Sequence, residues 1–419
     1  MNLAPVFAII SPMLELRPAK PRGYIERGGF YPNATYQLSV SPHPDLLLPD
    51  LKTVPLTQIA PVLERMWQNL IRQRQEEAGI VTYSREVYPF PFEPLSPVVF
   101  APTTERLFKE AAVPAIKEYC QWKGKDYLVV EEAGYLFPFW SQEELAPVEI
   151  MEGPLQEFIK ENGKFPDTVG VVYLDFPSSV HTSVTGSEVV KFIRNNPSVL
   201  FIVDQANLYF SDMGASIRDD LMLVGEGKLT DNDLVLVTNT TTKAMGMAGS
   251  AVIAATDRAK DLLEPALRNE FPQALGFDDK SFLLARQLLA SETQPELGDE
   301  GSVSEITAFN YRRLIAQNRE KLKASLQEKF EEAALSPELH TAGPHIFINA
   351  GVFGFRNAQE MCDALSERFS IATKPVSVYT DSERHPQYNK YVYMAVPWND
   401  EIMQAVLKAF EALKIASRA

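Results

Sequence analysis

The chain has 419 residues, 45% hydrophobic and 23% charged, with a formal net charge of −15, which allows a core of ordinary size and two to three domain-sized units. The acidic excess excludes nonspecific binding to nucleic acid or an anionic membrane, both of which need a basic face, but not a small anion in a local pocket. Two cysteines exclude a disulfide framework and a cysteine-built zinc site. No apolar run reaches the roughly 18 residues that span a bilayer, so a soluble cytoplasmic protein is expected.

The first 60 residues are proline-rich and irregular, running through Leu46-Leu-Leu-Pro-Asp. The apolar spacing then predicts an amphipathic helix over Ile59 to Gln75, followed by a second proline-heavy stretch at Tyr88-Pro-Phe-Pro-Phe-Glu-Pro. From Val98 to Thr256 short β-rich runs recur: Val98-Val-Phe, Tyr127-Leu-Val-Val-Glu, Val169-Gly-Val-Val-Tyr-Leu, Val199-Leu-Phe-Ile-Val, Leu234-Val-Leu-Val and Ala251-Val-Ile-Ala-Ala. Helical patterns separate most of them, such as Glu105 to Trp122 and Glu188 to Asn195, the latter preceded by a capping box at Thr185-Gly-Ser-Glu188. Near-continuous apolar strands alternating with helices predict a three-layer α/β unit around a mostly parallel, buried sheet.

Beyond Ser302 a charge-laced helix is expected over Ile306 to Phe330. Strand-like runs follow at His345-Ile-Phe-Ile-Asn and Tyr391-Val-Tyr-Met-Ala-Val, with helices over Ala358 to Phe369 and Asp400 to Ile415. The expected plan is an N-terminal arm contributing to a small unit (1–60), a large α/β domain (61–295) and a small α+β domain (296–419).

In open α/β sheets ligands bind outside the carboxyl ends of the strands, so the residues after each run are where a site is sought. They are Ala101-Pro-Thr-Thr-Glu-Arg, Glu131-Glu-Ala-Gly-Tyr135, Asp175-Phe-Pro-Ser-Ser-Val-His-Thr, Asp204-Gln-Ala-Asn and Thr238-Asn-Thr-Thr-Thr-Lys243. Together they supply hydroxyls at a helix start, an aromatic, a carboxylate and a lysine. No G-x-G-x-x-G, Walker loop, G-x-S-x-G elbow or H-E-x-x-H is present, and the five histidines show no ligand spacing. A strand-end aspartate and a lysine in a threonine-rich loop suit pyridoxal phosphate, which needs an amine for its Schiff base and a carboxylate for its pyridine nitrogen.

On these residues the segment from Val98 to Ala255 resembles fold-type I pyridoxal-phosphate enzymes, specifically class I/II aminotransferases of the histidinol-phosphate-aminotransferase kind. Thr240-Thr-Thr-Lys243-Ala-Met-Gly-Met-Ala-Gly249 is similar to the family's S-x-S-K-x-x-G-x-x-G loop, and Asp204-Gln-Ala-Asn207 to its D-E-A-Y motif. The resemblance implies Lys243 as the Schiff-base lysine, Asp204 as the pyridinium partner and Tyr135 as the stacking aromatic. It implies Thr103, Thr104 and Thr240 as phosphate contacts and pyridoxal 5'-phosphate as cofactor. It also implies a homodimer in which Tyr83 reaches a neighbour's cofactor phosphate.

Four positions depart from the pattern. Ser179 and Asn207 stand where an asparagine and a tyrosine serve the cofactor's phenolic oxygen, and both can still donate a hydrogen bond. Ala251 replaces the arginine that clamps the phosphate, with Arg106 nearby in sequence to the phosphate-binding helix start. Tyr393 replaces the arginine for the substrate carboxylate, leaving Lys390, Arg384 or Lys374 as neighbouring cations. The expected function is therefore a PLP-dependent enzyme, by default an aminotransferase, acting on an amino acid or related amine with a specialised structure. The alternatives are a non-transaminating PLP reaction (cyclisation, elimination or replacement, oxidation) and a non-catalytic pseudoenzyme.

Overall fold

The computed structural model describes residues 16–19, 31, 33–38, 98–101, 104–134, 137–178, 180, 183–207, 223, 228–240, 251–264, 303–330, 345–380, 383 and 385–416. The helix expected over Ile59 to Gln75 and the aromatic Tyr83 lie outside them.

The β-rich runs form one eight-stranded sheet. Its strands are β1 (Arg17–Pro18), β3 (Val98–Ala101), β4 (Tyr127–Glu131), β5 (Glu149–Gly153), β6 (Val169–Asp175), β7 (Leu200–Asp204), β8 (Val235–Thr240) and β9 (Ala251–Ala255). The spatial order is β1-β5-β4-β6-β7-β8-β9-β3. From β5 to β8 every pairing is parallel, and β9 is antiparallel to both β8 and β3. The strand β3 therefore runs with β8, and the carboxyl ends of β3 to β8 share one edge, where β9 begins. Short β2 (Tyr36–Gln37) belongs elsewhere, as described below. Two strands of this sheet were not expected: β1, and β5, whose Glu-Ile-Met-Glu-Gly carries a single β-branched residue.

Helices cover both faces, as burial on both sides of a parallel sheet requires. On one face, α1 (Thr104–Leu107) continues through a π turn (Phe108–Ala112) into α2 (Val113–Lys123). Pro114, which has no N–H to return to the preceding turn, is the second residue of α2, one place beyond the irregular turn's successor Val113. Gly170 lets α2 approach β6 closely, since a Cβ there would lie 2.6 Å from Lys125 Cβ and 2.9 Å from Cys120 Sγ. Short helices α3 (Phe137–Trp140) and α4 (Gln142–Leu145) follow β4. On the other face lie α5 (Leu155–Lys160) and α6 (Gly186–Asn195), where Phe158 and Phe192 meet edge-on and Phe192 meets Phe201 of β7. Each fully buried phenylalanine of this kind contributes about 1.5–3 kcal/mol through apolar burial. The capping box closes as predicted: Thr185 Oγ1 accepts from Glu188 N, and Thr185 N donates to the Glu188 carboxylate at 2.7 Å.

The remaining chain forms a smaller layered unit of α7 (Val303–Phe330), β10 (His345–Asn349), α8 (Ala358–Phe369), β11 (Ile371–Ala372), β12 (Lys374–Pro375), β13 (Tyr391–Ala395) and α9 (Asp400–Ala416). Its three-stranded sheet has the order β10-β13-β12, and β2 pairs with β11. N-terminal residues thus join C-terminal ones, while β1 pairs instead with β5 of the large sheet. One face of the small sheet (Ile346, Ile348, Val392, Met394) packs into a core with α8 and α9, and the other (Phe347, Tyr393) packs with the large sheet's core.

Glu131, the last residue of β4, is fully buried and accepts a hydrogen bond from the backbone N of Gln156 in α5 at 3.0 Å. Burial, aided by the charges of Glu157 and Glu132, pushes its carboxyl well above the ordinary value of 4.5. A raised carboxyl value means the folded state holds the proton more tightly, so this contribution is full below pH 4.5 and declines as pH rises above it. Glu131→Gln, which keeps the acceptor and removes the titration, is expected to gain in melting temperature over the parent as pH rises from 4 towards 8. An offset that does not change with pH would contradict this.

Candidate active site

The carboxyl edge of the large sheet gathers the polar strand ends. In one row Asp175, Asp204 and Thr238 are register partners across β6, β7 and β8. In the next, Thr240 pairs with Ala251 and Ala251 with Ala101, the last residue before the turn into α1. Because α1 packs against β8 and β9, Thr104 is brought to the same edge as Thr240 and Asp204.

Asp204 is 2% exposed, and both its carboxylate oxygens are held. Tyr173 Oη donates to Oδ2 at 2.9 Å, and the backbone N of Ala206 donates to Oδ1 at 2.9 Å. Its backbone is fixed as well: Phe176 N donates to Asp204 O, and Gln205 N to Thr238 O. Tyr173 is itself positioned by Phe108 of the π turn, whose ring meets it edge-on with centroids 5.5 Å apart. A rigid acceptor at a strand end, with two donors already satisfied, has a defined direction for a third. Asn207 is fully buried, and its Nδ2 donates to Pro177 O at 3.3 Å, so it joins the β7 edge to the loop after β6. Thr238 is 2% exposed, and its Oγ1 has no hydrogen-bond partner.

A second cluster lies where the small sheet meets the large core. Tyr393 is 4% exposed and packs on the rings of His345 (4.3 Å), Tyr379 (5.4 Å) and Phe347 (5.8 Å). Its register partner on β12 is Lys374, 6% exposed, whose ammonium lies 4.4 Å from the Tyr393 ring centre and 4.9 Å from that of Tyr379. Tyrosine faces attract a cation, and the attraction grows when water is excluded. Lys390 is exposed, with its ammonium 4.9 Å from the ring centre of Tyr391, so Lys374 is the cation beside Tyr393. His385 Nε2 approaches Glu132 Oε2 to 3.0 Å, an ion-pair distance without hydrogen-bond alignment. Since Glu132 directly follows β4, that contact brings the segment before β13 to the carboxyl edge.

Of the residues singled out in the sequence, the structure brings Asp204, Asn207, Thr104 and the backbone of Thr240 to this one edge, and places Tyr393 in the seam. Lys243, Tyr135, Thr103, Ser179 and Arg384 lie outside the described residues. Arg106 is tied to Glu110, Nε to Oε1 at 2.7 Å, by a pair one helical turn apart. The sequence reading missed Tyr173 and Thr238. The available signal was position: each lies two residues before the carboxyl end of its strand, β6 at Asp175 and β8 at Thr240. Among the described residues, no three His, Cys, Asp or Glu side chains are grouped to hold a metal, and no helix is long and apolar enough to cross a membrane.

No family model matches the chain, and neither does any curated protein sequence. Solved structures do. Apo BacF from Bacillus subtilis superposes with a TM-score of 0.60 at 14% identity, covering 90% of this chain and 94% of that one. An aromatic aminotransferase from Pyrococcus horikoshii gives 0.60 at 13%, covering 91% and 96%. Histidinol-phosphate aminotransferase from Sinorhizobium meliloti, solved with pyridoxal-5'-phosphate, gives 0.59 at 13%, covering 91% of each chain. The chain thus has the fold of type I aminotransferases, in a form of divergent sequence.

Proposed function

We propose that this chain binds pyridoxal 5'-phosphate at the carboxyl edge of its large sheet and is an aminotransferase for an amino acid or related amine of specialised structure. The observation that carries the reading is Asp204: a buried strand-end carboxylate, oriented by Tyr173 and Ala206, in a row with buried Thr238 and beside the strand that leads to Lys243. The donor set fits the group. A fixed carboxylate suits a pyridinium nitrogen, and hydroxyls at Thr240 and at the Thr103-Thr104 helix start suit a phosphate, where free N–H groups add favourable partial charge.

The cofactor supplies a protonated pyridine ring that draws off the electron pair left when a substrate Cα–H bond breaks. The protein's part is to hold that charge and move the proton. Asp204 keeps the ring nitrogen protonated. Lys243, three residues past the end of β8, takes the proton from the substrate Cα and returns it, which requires its amine to be neutral for part of the cycle. Ser179 and Asn207 would donate to the phenolic oxygen, and Tyr135 would stack on the ring. With Ala251 in place of an arginine, the phosphate is held by hydroxyls and backbone amides. At the substrate end Tyr393 removes the usual guanidinium fork, and Lys374, a point charge over two tyrosine rings, takes the substrate's anionic group with Lys390 further out. A homodimer and a cytoplasmic setting belong to the same proposal.

The test is a half-reaction. Protein loaded with pyridoxal phosphate and mixed with a panel of amino acids should lose its yellow colour with one of them, releasing a stoichiometric 2-oxo acid. A protein that takes up no cofactor would overturn the proposal. Uptake with failure across the panel would move the reaction to the non-transaminating alternative.

A further inference from the structure

Gln156, the second residue of α5, is a fully buried amide just past the carboxyl end of β5. Its backbone N donates to Glu131 at the end of β4. Its side-chain Oε1 accepts from Ser183 N at 3.1 Å, with Ser183 Oγ at 3.5 Å. Its Nε2 is buried and makes no hydrogen bond. One residue therefore joins the end of β4 to the far end of the loop that leaves β6.

That loop is held at both ends. At its start Phe176 N donates to Asp204 O, and Asn207 Nδ2 donates to Pro177 O. Ser178, fully buried, accepts through Oγ from Val180 N at 3.2 Å, and these two residues are the sequence neighbours of Ser179. At its end Ser183 leads into the capping box at Thr185. Ser183 is exposed, so water satisfies its N–H if the glutamine does not.

Burying an amide is unfavourable unless its hydrogen bonds are made, and here the Nε2 end is left unmet. Methionine has nearly the same length and would fill the position without an unmet donor. The contact with Glu131 belongs to the backbone and does not depend on the side chain. What the glutamine adds is the acceptor for Ser183, and with it a fixed end for the loop.

We infer that Gln156 is a positioning residue: by holding Ser183 it fixes the β6 loop so that Ser179 is aimed at the phenolic oxygen of bound pyridoxal phosphate. The inference rests on the function proposed above. Asn207 anchors the loop at Pro177 alone, and a loop anchored at one end swings about it. The second anchor, four residues beyond Ser179, removes that freedom.

A hydrogen bond donated to the phenolic oxygen favours the deprotonated form of the bound chromophore. The pH midpoint of the loaded protein's colour change therefore reports the donor's aim without an activity assay. Gln156→Met should raise that midpoint by about 0.5–1 pH unit, the value of one neutral hydrogen bond. Its apoprotein should melt close to the parent temperature. Ser179→Ala should raise the midpoint as well, and the double variant should go no higher than Ser179→Ala alone, because Gln156 acts through Ser179. Should Gln156→Met not fold, Gln156→Leu takes its place. An unchanged midpoint in either single variant overturns the inference alone, and so do shifts that add in the double variant. A parent protein that takes up no pyridoxal phosphate overturns the inference together with the reading beneath it.

Discussion

Asp204→Asn is expected to slow the amino-acid half-reaction by about 10²–10³-fold with the fold intact, as for loss of a preorganised electrostatic contact in a dry site. The substitution keeps the shape and the acceptor for Ala206 N, and Tyr173 Oη can accept from the new amide instead of donating. Only the charge opposite the ring nitrogen is lost, so melting temperature and cofactor uptake should change far less than rate. Single-turnover spectroscopy of parent and variant with the same amino acid reads the difference. A variant within about threefold of the parent would contradict the role, since each 1.36 kcal/mol of transition-state stabilisation is worth tenfold. Tyr173→Phe is the milder companion: it removes one donor to a charged group, worth about 1.5–3 kcal/mol, and should appear in urea unfolding of the apoprotein.

Lys243→Ala carries the other large effect. Positioned acid–base groups contribute about 10²–10⁴-fold, and this variant loses both that proton carrier and the covalent attachment of the cofactor. The expected result is a protein that still takes up pyridoxal phosphate through Asp204 and the phosphate hydroxyls but turns over at least about 10²-fold more slowly. A small primary amine added to the buffer should restore part of the rate. Full activity without added amine would assign the proton transfer to another group.

The large sheet was legible because buried parallel strands appear in sequence as near-continuous aliphatic runs, and six of its eight strands announce themselves that way. With the strands in place, reading the residue after each run finds Asp204 and the Thr240 strand end, because the carboxyl edge is set by topology. What stayed hidden depends on pairing between distant segments. Nothing local to Val169-Gly-Val-Val-Tyr-Leu says that Tyr173 will meet an aspartate on β7. Nor does anything near Thr238 show that its neighbour in the sheet is that same aspartate. The pairing of Lys374 with Tyr393 is likewise a matter of register between β12 and β13, so three neighbouring cations looked equivalent in sequence while the structure buries one of them against the tyrosine. β1 and β5 were missed for another reason: at two residues, or with charged ends, a strand is defined by its partners more than by its composition.

The central claim is that a strand-end aspartate and the lysine after β8 hold one pyridoxal phosphate. Borohydride reduction of the cofactor-loaded protein, followed by peptide mapping, tests it most directly. The account predicts one phosphopyridoxyl group per chain, on Lys243, lost in Lys243→Ala. Label on another lysine, label scattered over several surface lysines, or a colourless protein that takes up no cofactor would contradict it.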